Sequence, residues 1–148
     1  MSEDYSDQDL TRLPKAEFGF PGPLRDKLVA AILAGVKTST TGLVADYIVC
    51  GEELPVVGER AVVIDSQGRD VAILEVTAVD VRPLGQVDLQ HVLDEGEGHR
   101  SIAEWRADHE DYWHSPEMRE AMGDPGFTVN DATETVLERF RLLTVLPR

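Results

Sequence analysis

Two short strings carry most of the residues able to do chemistry. The first, GVKTSTTG at 35–42, sets Lys37 among the hydroxyls of Thr38, Ser39, Thr40 and Thr41. A hydroxyl is a poor nucleophile at neutral pH unless a base takes its proton, and a lysine deprived of its charge by burial can be that base. The competing account is a lysine that caps the end of a preceding helix beside turn-forming threonines. The second string, DEGEGHR at 94–100, places Glu95 and Glu97 around a glycine. In an extended segment both point to one side, where paired carboxylates hold a divalent metal or keep one of the two protonated. Acidic surface loops have the same composition. His99, Arg100 and Arg106 form the densest basic neighbourhood beyond it, suited to a phosphate or to solvated salt bridges with Glu104 or Asp108. Tyr47, Tyr112 and Trp113 are rings able to stack on a base, whereas Trp105, at helical spacing from Ile102, is assigned to the core. His109 and His114 do not align on one helix face, so a site of histidines alone is not expected.

The elements that must position these residues follow from periodicity. FGFPGP at 18–23 is a turn, with Pro23 suited to the first position of a helix. Leu24, Leu28, Ala31 and Ile32 recur at helical spacing, and Gly35 stands where that helix should end, so Lys37 follows a helix C-terminus. LVADYIV at 43–49 predicts a short helix carrying Tyr47. RAVVID at 60–65 and DVAILEVTAVDV at 70–81, joined by a turn, read as a β-hairpin whose second strand is long enough to bend around a barrel. DLQHVLDEGEG at 88–98 predicts a helix broken by Gly96 and Gly98. Residues 101–114 predict a helix with Ser101 as N-cap and Glu104 completing a capping box. Ser115 and Pro116 open another, and TVLERFRLLTVL at 135–146 is a closing strand.

Composition bounds the rest. The 148 residues suit one core, and a formal net charge of −14 argues against a protein that coats nucleic acid through a broad basic surface. Residues 1–17 are polar, with Glu3, Asp4, Asp7 and Asp9 ahead of any basic residue, which predicts a disordered acidic tail before a domain over 18–148. An acidic N-terminus and the absence of a long apolar run predict a cytoplasmic protein with no membrane contact. Cys50 is the single cysteine, so an internal disulfide is excluded, and a small core residue is its expected role.

Three strings, GVKTSTT at 35–41, LEVTAV at 74–79 and DEGEGHRSIAEWRADH at 94–109, together resemble the ASCH domain family of the PUA-like superfamily, in its EGEG-motif branch. Leu54, Pro55 and Gly58, and Glu138, Arg139 and Phe140, fit the same pattern. The resemblance implies an α+β fold, a PUA-like small β-barrel with flanking helices and a cleft for RNA or a nucleobase. It places the family's lysine on Lys37, its threonine on Thr40 and its acidic-motif glutamate on Glu97. The amidohydrolase branch often carries arginine where Gly42 stands, and the EGEG branch usually carries aspartate where His99 stands.

The reading these residues lead to is a hydrolase, first of all a ribonuclease on single-stranded RNA assisted by a divalent metal such as Mn or Mg. Lys37, Thr40 and Glu97 would be catalytic, Tyr47, His99, Arg100 and Arg106 would bind substrate, and Glu95 and Glu97 would hold the metal. Two alternatives stand beside it. An amidohydrolase acting on N4-acylated cytidine would use the same three residues without metal, and a non-catalytic module would bind RNA or a nucleotide and regulate.

Overall fold

The computed structural model describes residues 5–147. In chain order the elements are α1 (Asp7–Arg12), β1 (Lys15–Ala16), α2 (Pro23–Leu33), β2 (Ser39–Leu43), α3 (Val44–Cys50), β3 (Arg60–Ile64), β4 (Asp70–Pro83), α4 (Leu89–Asp94), α5 (Ile102–Trp113), α6 (Pro116–Met122) and β5 (Glu134–Val145). A single turn of 3-10 helix, Leu84–Gln86, links β4 to α4. The class is α+β, and the five strands form one mixed sheet in the order β1-β3-β4-β5-β2. β1 runs parallel to β3 and every other neighbour is antiparallel.

Long β4 and β5 are the spine of the sheet. Bulges between Ile73 and Leu74 and between Val76 and Ala78 shift their register, which bends a strand pair and increases its twist. β1 and β2 nevertheless remain as two edges, so the barrel implied by the resemblance does not close. Each face of the bent sheet buries its own core. On one side Leu28, Val29 and Ile32 of α2 pack on Val63, Val71, Leu74 and Phe140; on the other Leu43 and Leu137 meet Val92, Trp105, Trp113 and Met118 of the later helices. β5 supplies both layers because successive side chains alternate, Leu137 to one and Phe140 to the other. Leu24, expected on the buried stripe of α2, is 42% exposed, and Arg25 is buried in its place, its guanidinium donating to the carbonyls of Phe18 and Gly19.

Two expectations are corrected outside the core. The predicted disordered tail is not what residues 7–16 form; its acidic residues Glu3 and Asp4 lie outside the described residues. Ser6 caps α1 by accepting from the Asp9 amide while the Asp9 carboxylate accepts from the Ser6 amide, a reciprocal box that satisfies two orphan donors. β1 then pairs Lys15 with Val62 and Ala16 with Val63, covering part of the outer edge of β3. Cys50, expected in the core, is exposed at the last turn of α3, because the short helix turns Ile48, Val49 and Cys50 outward together.

Candidate functional site

Lys37 leaves the C-terminus of α2 through Gly35, whose φ of +75° only glycine adopts cheaply, and the Val36 and Lys37 amides both return to the Ala31 carbonyl. Its side chain does not cap that helix. Nζ instead donates to the carbonyls of Ser39 (2.8 Å) and Glu95 (3.3 Å) and to Glu97 Oε2 (3.3 Å), with Glu95 Oε1 at 3.6 Å. Lys37 is 2% exposed and all three ammonium protons have acceptors, so it offers no lone pair to a neighbouring hydroxyl. Lys37 and Glu97 are therefore brought together, as an ion pair that ties the EGEG loop to the start of β2.

The loop can come this close because of Gly96. At a φ of +67° a Cβ there would lie 2.5 Å from the Val36 carbonyl oxygen and 2.8 Å from the Lys37 nitrogen, a backbone clash that no rotamer relieves. Glu95, 1% exposed, accepts from the Trp105 indole nitrogen and lies 3.4 Å from His109 Nε2. Burial alone would raise its carboxyl, but the hydrogen bond from His109, the charge of Lys37 and the indole donor hold it at about 2. His109 is drawn the opposite way. Burial opposes its charged form, yet the hydrogen bond and charge of Glu95 raise it, and its Nδ1 donates to the Trp105 carbonyl at 2.9 Å. A carbonyl and a carboxylate both accept, so both ring nitrogens carry protons.

Ligand atoms of Glu95, Glu97 and His109 lie within 4.8 Å of one another, the spread of a metal site. Their chemistry is nonetheless spoken for. The Lys37 ammonium stands between the two carboxylates, and a metal would require the neutral imidazole that His109 is drawn away from. Two protein cations thus balance the carboxylates that the sequence assigned to a metal. His109 escaped the sequence reading because its partner, Glu95, is set by the packing of α5 on the loop.

The hydroxyls of the first string divide by the pleat of β2. Thr38 and Ser39 donate to the Asp94 and His91 carbonyls, closing the C-terminal end of α4, and Thr41 meets His91 Nε2 at 2.8 Å. Thr40 points to the opposite face, half-buried, and among the described residues its hydroxyl has no partner. Directly across the strand pair stands Glu138 of β5, on the same face. Its carboxyl has no hydrogen-bond partner either, and burial, reinforced by the Glu59 charge and only partly offset by Lys37, pushes it up to about 7. Tyr47 of α3 closes the group. Its ring lies against β2 where Gly42 leaves room, since a Cβ there would be 3.2 Å from Tyr47 Cε2. Burial, with Glu138 as the largest charge, raises the phenol well above its ordinary value, so it keeps its proton. The sequence pointed to Tyr47 and Thr40 as site residues, whereas Glu138 entered only with Arg139 and Phe140 as part of the family pattern and was given no role.

Two of the three residues of the predicted basic neighbourhood are held by carboxylates. His99 Nε2 meets Asp108 Oδ2 at 2.6 Å, and Arg106 reaches Glu110 at 3.1 Å and Asp131 at 2.8 Å. Arg100 is exposed, its amide donating to Glu104. Among the described residues none of the three side chains bonds to Thr40, Tyr47 or Glu138; ion pairs hold His99 and Arg106, and the Arg100 guanidinium has none.

The ASCH domain model matches residues 16–144 of this chain. No curated protein matches the chain in sequence. Among solved structures, an ASCH domain from Lactobacillus crispatus is similar, with 25% identity and a TM-score of 0.70 over 94% of this chain and 86% of that one. Protein EF3133 from Enterococcus faecalis shares the fold at 21% identity and a TM-score of 0.75, over 87% of this chain and 75% of that one. A family-model match over residues 16–144, most of the chain, makes it a member of the ASCH domain family.

Proposed function

We propose that this protein is an amidohydrolase on a small N-acylated nucleoside of the N4-acylcytidine type, with Thr40 as nucleophile. The observation that carries the reading is the character of the face shared by Thr40, Tyr47 and Glu138. Among the described residues the Thr40, Tyr47 and Glu138 side chains have no hydrogen-bond partner, while Lys37, His99 and Arg106 are held by carboxylates and only the exposed Arg100 guanidinium is not. A ribonuclease needs cations free to meet the charge growing on phosphate, and a face bearing Glu138 and Glu59 repels a polyanion. A neutral nucleoside brings no such charge. Its acyl carbon suits attack by an alcohol, and its flat base suits the Tyr47 ring.

In this reading Thr40 Oγ1 attacks the acyl carbon and Tyr47, which keeps its proton, either stacks on the base or donates to the developing oxyanion. Lys37 and Glu97 hold the loop against the start of β2. The test is mass spectrometry of the protein with free N4-acetylcytidine and a short unstructured RNA in one tube, beside Thr40→Val. Cytidine appearing with RNA intact, and lost in the variant, is the expected result. RNA fragments with unchanged nucleoside would establish the ribonuclease instead. Survival of both substrates would leave a binding module and overturn catalysis.

A further inference from the structure

The amidohydrolase reading leaves one role unfilled. Thr40 needs a group that removes its proton, and the residue the sequence offered, Lys37, has all three protons committed to Ser39, Glu95 and Glu97. Glu97 is tied to that same ammonium. We infer that Glu138 is a catalytic residue on this face of the sheet, taking the Thr40 proton as acyl transfer begins and delivering it to the leaving amine.

Placement carries this. Thr40 and Glu138 are direct partners across the β2–β5 ladder, whose opposed side chains stand about 5 Å apart at Cβ, so a substrate atom or one water spans the remaining gap. Neither group is engaged by the protein, although β5 could have carried a threonine or a valine here at lower cost. The groups that face Glu138 are Thr40 of β2, Lys37 at the strand entrance, Tyr47 of α3 and Glu59 ahead of β3. One cation against one further carboxylate in a half-buried setting leaves the carboxyl near its midpoint at neutral pH, the condition under which one group both takes and gives a proton.

The step balances without another reagent. Thr40 Oγ1 forms its bond to the acyl carbon as its proton passes to Glu138; the C–N bond then breaks and that proton goes to the departing nitrogen. Water attacks the acyl-threonine, giving one proton to Glu138. The ester C–O bond breaks and Glu138 returns the proton to Thr40, leaving a carboxylic acid and the free amine.

This rests on the proposed function, and the experiment separates the two. Wild type and Glu138→Gln are compared on N4-acetylcytidine across pH, with urea unfolding of both above neutral pH as the check on folding. The expected result is a wild-type rate that rises through about pH 7, and a variant about 100-fold or more lower in kcat with KM little changed and that rise gone. The variant's urea midpoint above neutral pH is expected to be higher than the wild type's, since an ill-solvated carboxylate has been removed. An active wild type with an equally active variant, or with the pH rise retained in the variant, overturns the role of Glu138 and leaves the amidohydrolase standing. A wild type inactive on the nucleoside overturns the function and this role with it.

Discussion

Replacing Glu95 by Gln would test the electrostatic account of the site without touching its shape. The amide is isosteric and its oxygen still accepts from the Trp105 indole, so what is lost is charge. The magnitude follows from the carboxyl being held at about 2 against an ordinary 4.5. At ~1.4 kcal/mol per pH unit that difference gives about 3 kcal/mol of stability near neutral pH. The size agrees with the roughly 3–5 kcal/mol lost when one partner of a buried pair is removed. Because the folded value is depressed, the contribution is fully present above the unfolded value of 4.5 and is lost as pH falls toward 2. His109 adds a second limb of opposite sense. Its folded value is raised, so its share is complete below 6.5 and fades as pH rises through the folded value. The stability gap between wild type and Glu95→Gln should therefore be widest between about pH 5 and 6.5, narrow on acidification and narrow again in alkali. Urea unfolding at a series of pH values, with equal slopes for the two proteins, reads it directly. A gap that stayed constant with pH, or widened in acid, would refute the reasoning.

Three further outcomes follow from the same geometry. Gly96→Ala should destabilise by about 2–5 kcal/mol, from its left-handed backbone and its clash with the Val36 carbonyl, whereas Gly98→Ala, equally left-handed but in open space, should cost about 1–2 kcal/mol; paired thermal melts compare them. Cys50 should react with a disulfide reagent in the native state, slowly because slight desolvation of the sulfur and the nearby Asp46 raise the thiol, and Cys50→Ser should leave the unfolding midpoint unchanged. Deacylation of N4-acetylcytidine should persist in EDTA, since Lys37 and His109 already balance Glu95 and Glu97; activity abolished by chelation and restored by Mn²⁺ would reinstate the metal.

What the sequence revealed was what repeats locally. Pro23 at the first turn of α2, Ser101 and Ser115 as N-caps, the β3–β4 pair and the closing strand all rest on signals within a few residues. The Lys37 and EGEG strings were legible as chemistry, and Lys37 does meet Glu97. What stayed hidden depends on register between distant segments. Nothing near Glu138 in the chain says that it will face Thr40, because that is decided by how β5 slides along β2. The density of hydroxyls at 38–41 was read as one chemical group, but the pleat sends Ser39 and Thr41 to the carbonyls and ring of α4 and leaves Thr40 alone on the other face. Cys50 misled because an apolar run suggests burial, while a helix of seven residues has a solvent side. The capping box at Ser6 and Asp9 was readable and was obscured by the surrounding acidity.

Because β5 feeds Leu137 into one hydrophobic layer and Phe140 into the other, and carries Glu138 between them, its amides have no local opening that spares either layer. Exchange of those protons with solvent must await the global transition, whereas the short α1 and α3, with no buried residues, can fray alone. The two halves of the candidate site thus differ in mobility by construction. The floor, Thr40 against Glu138, is as persistent as the fold itself, and the Tyr47 wall on α3 belongs to the fraction of the molecule that breathes.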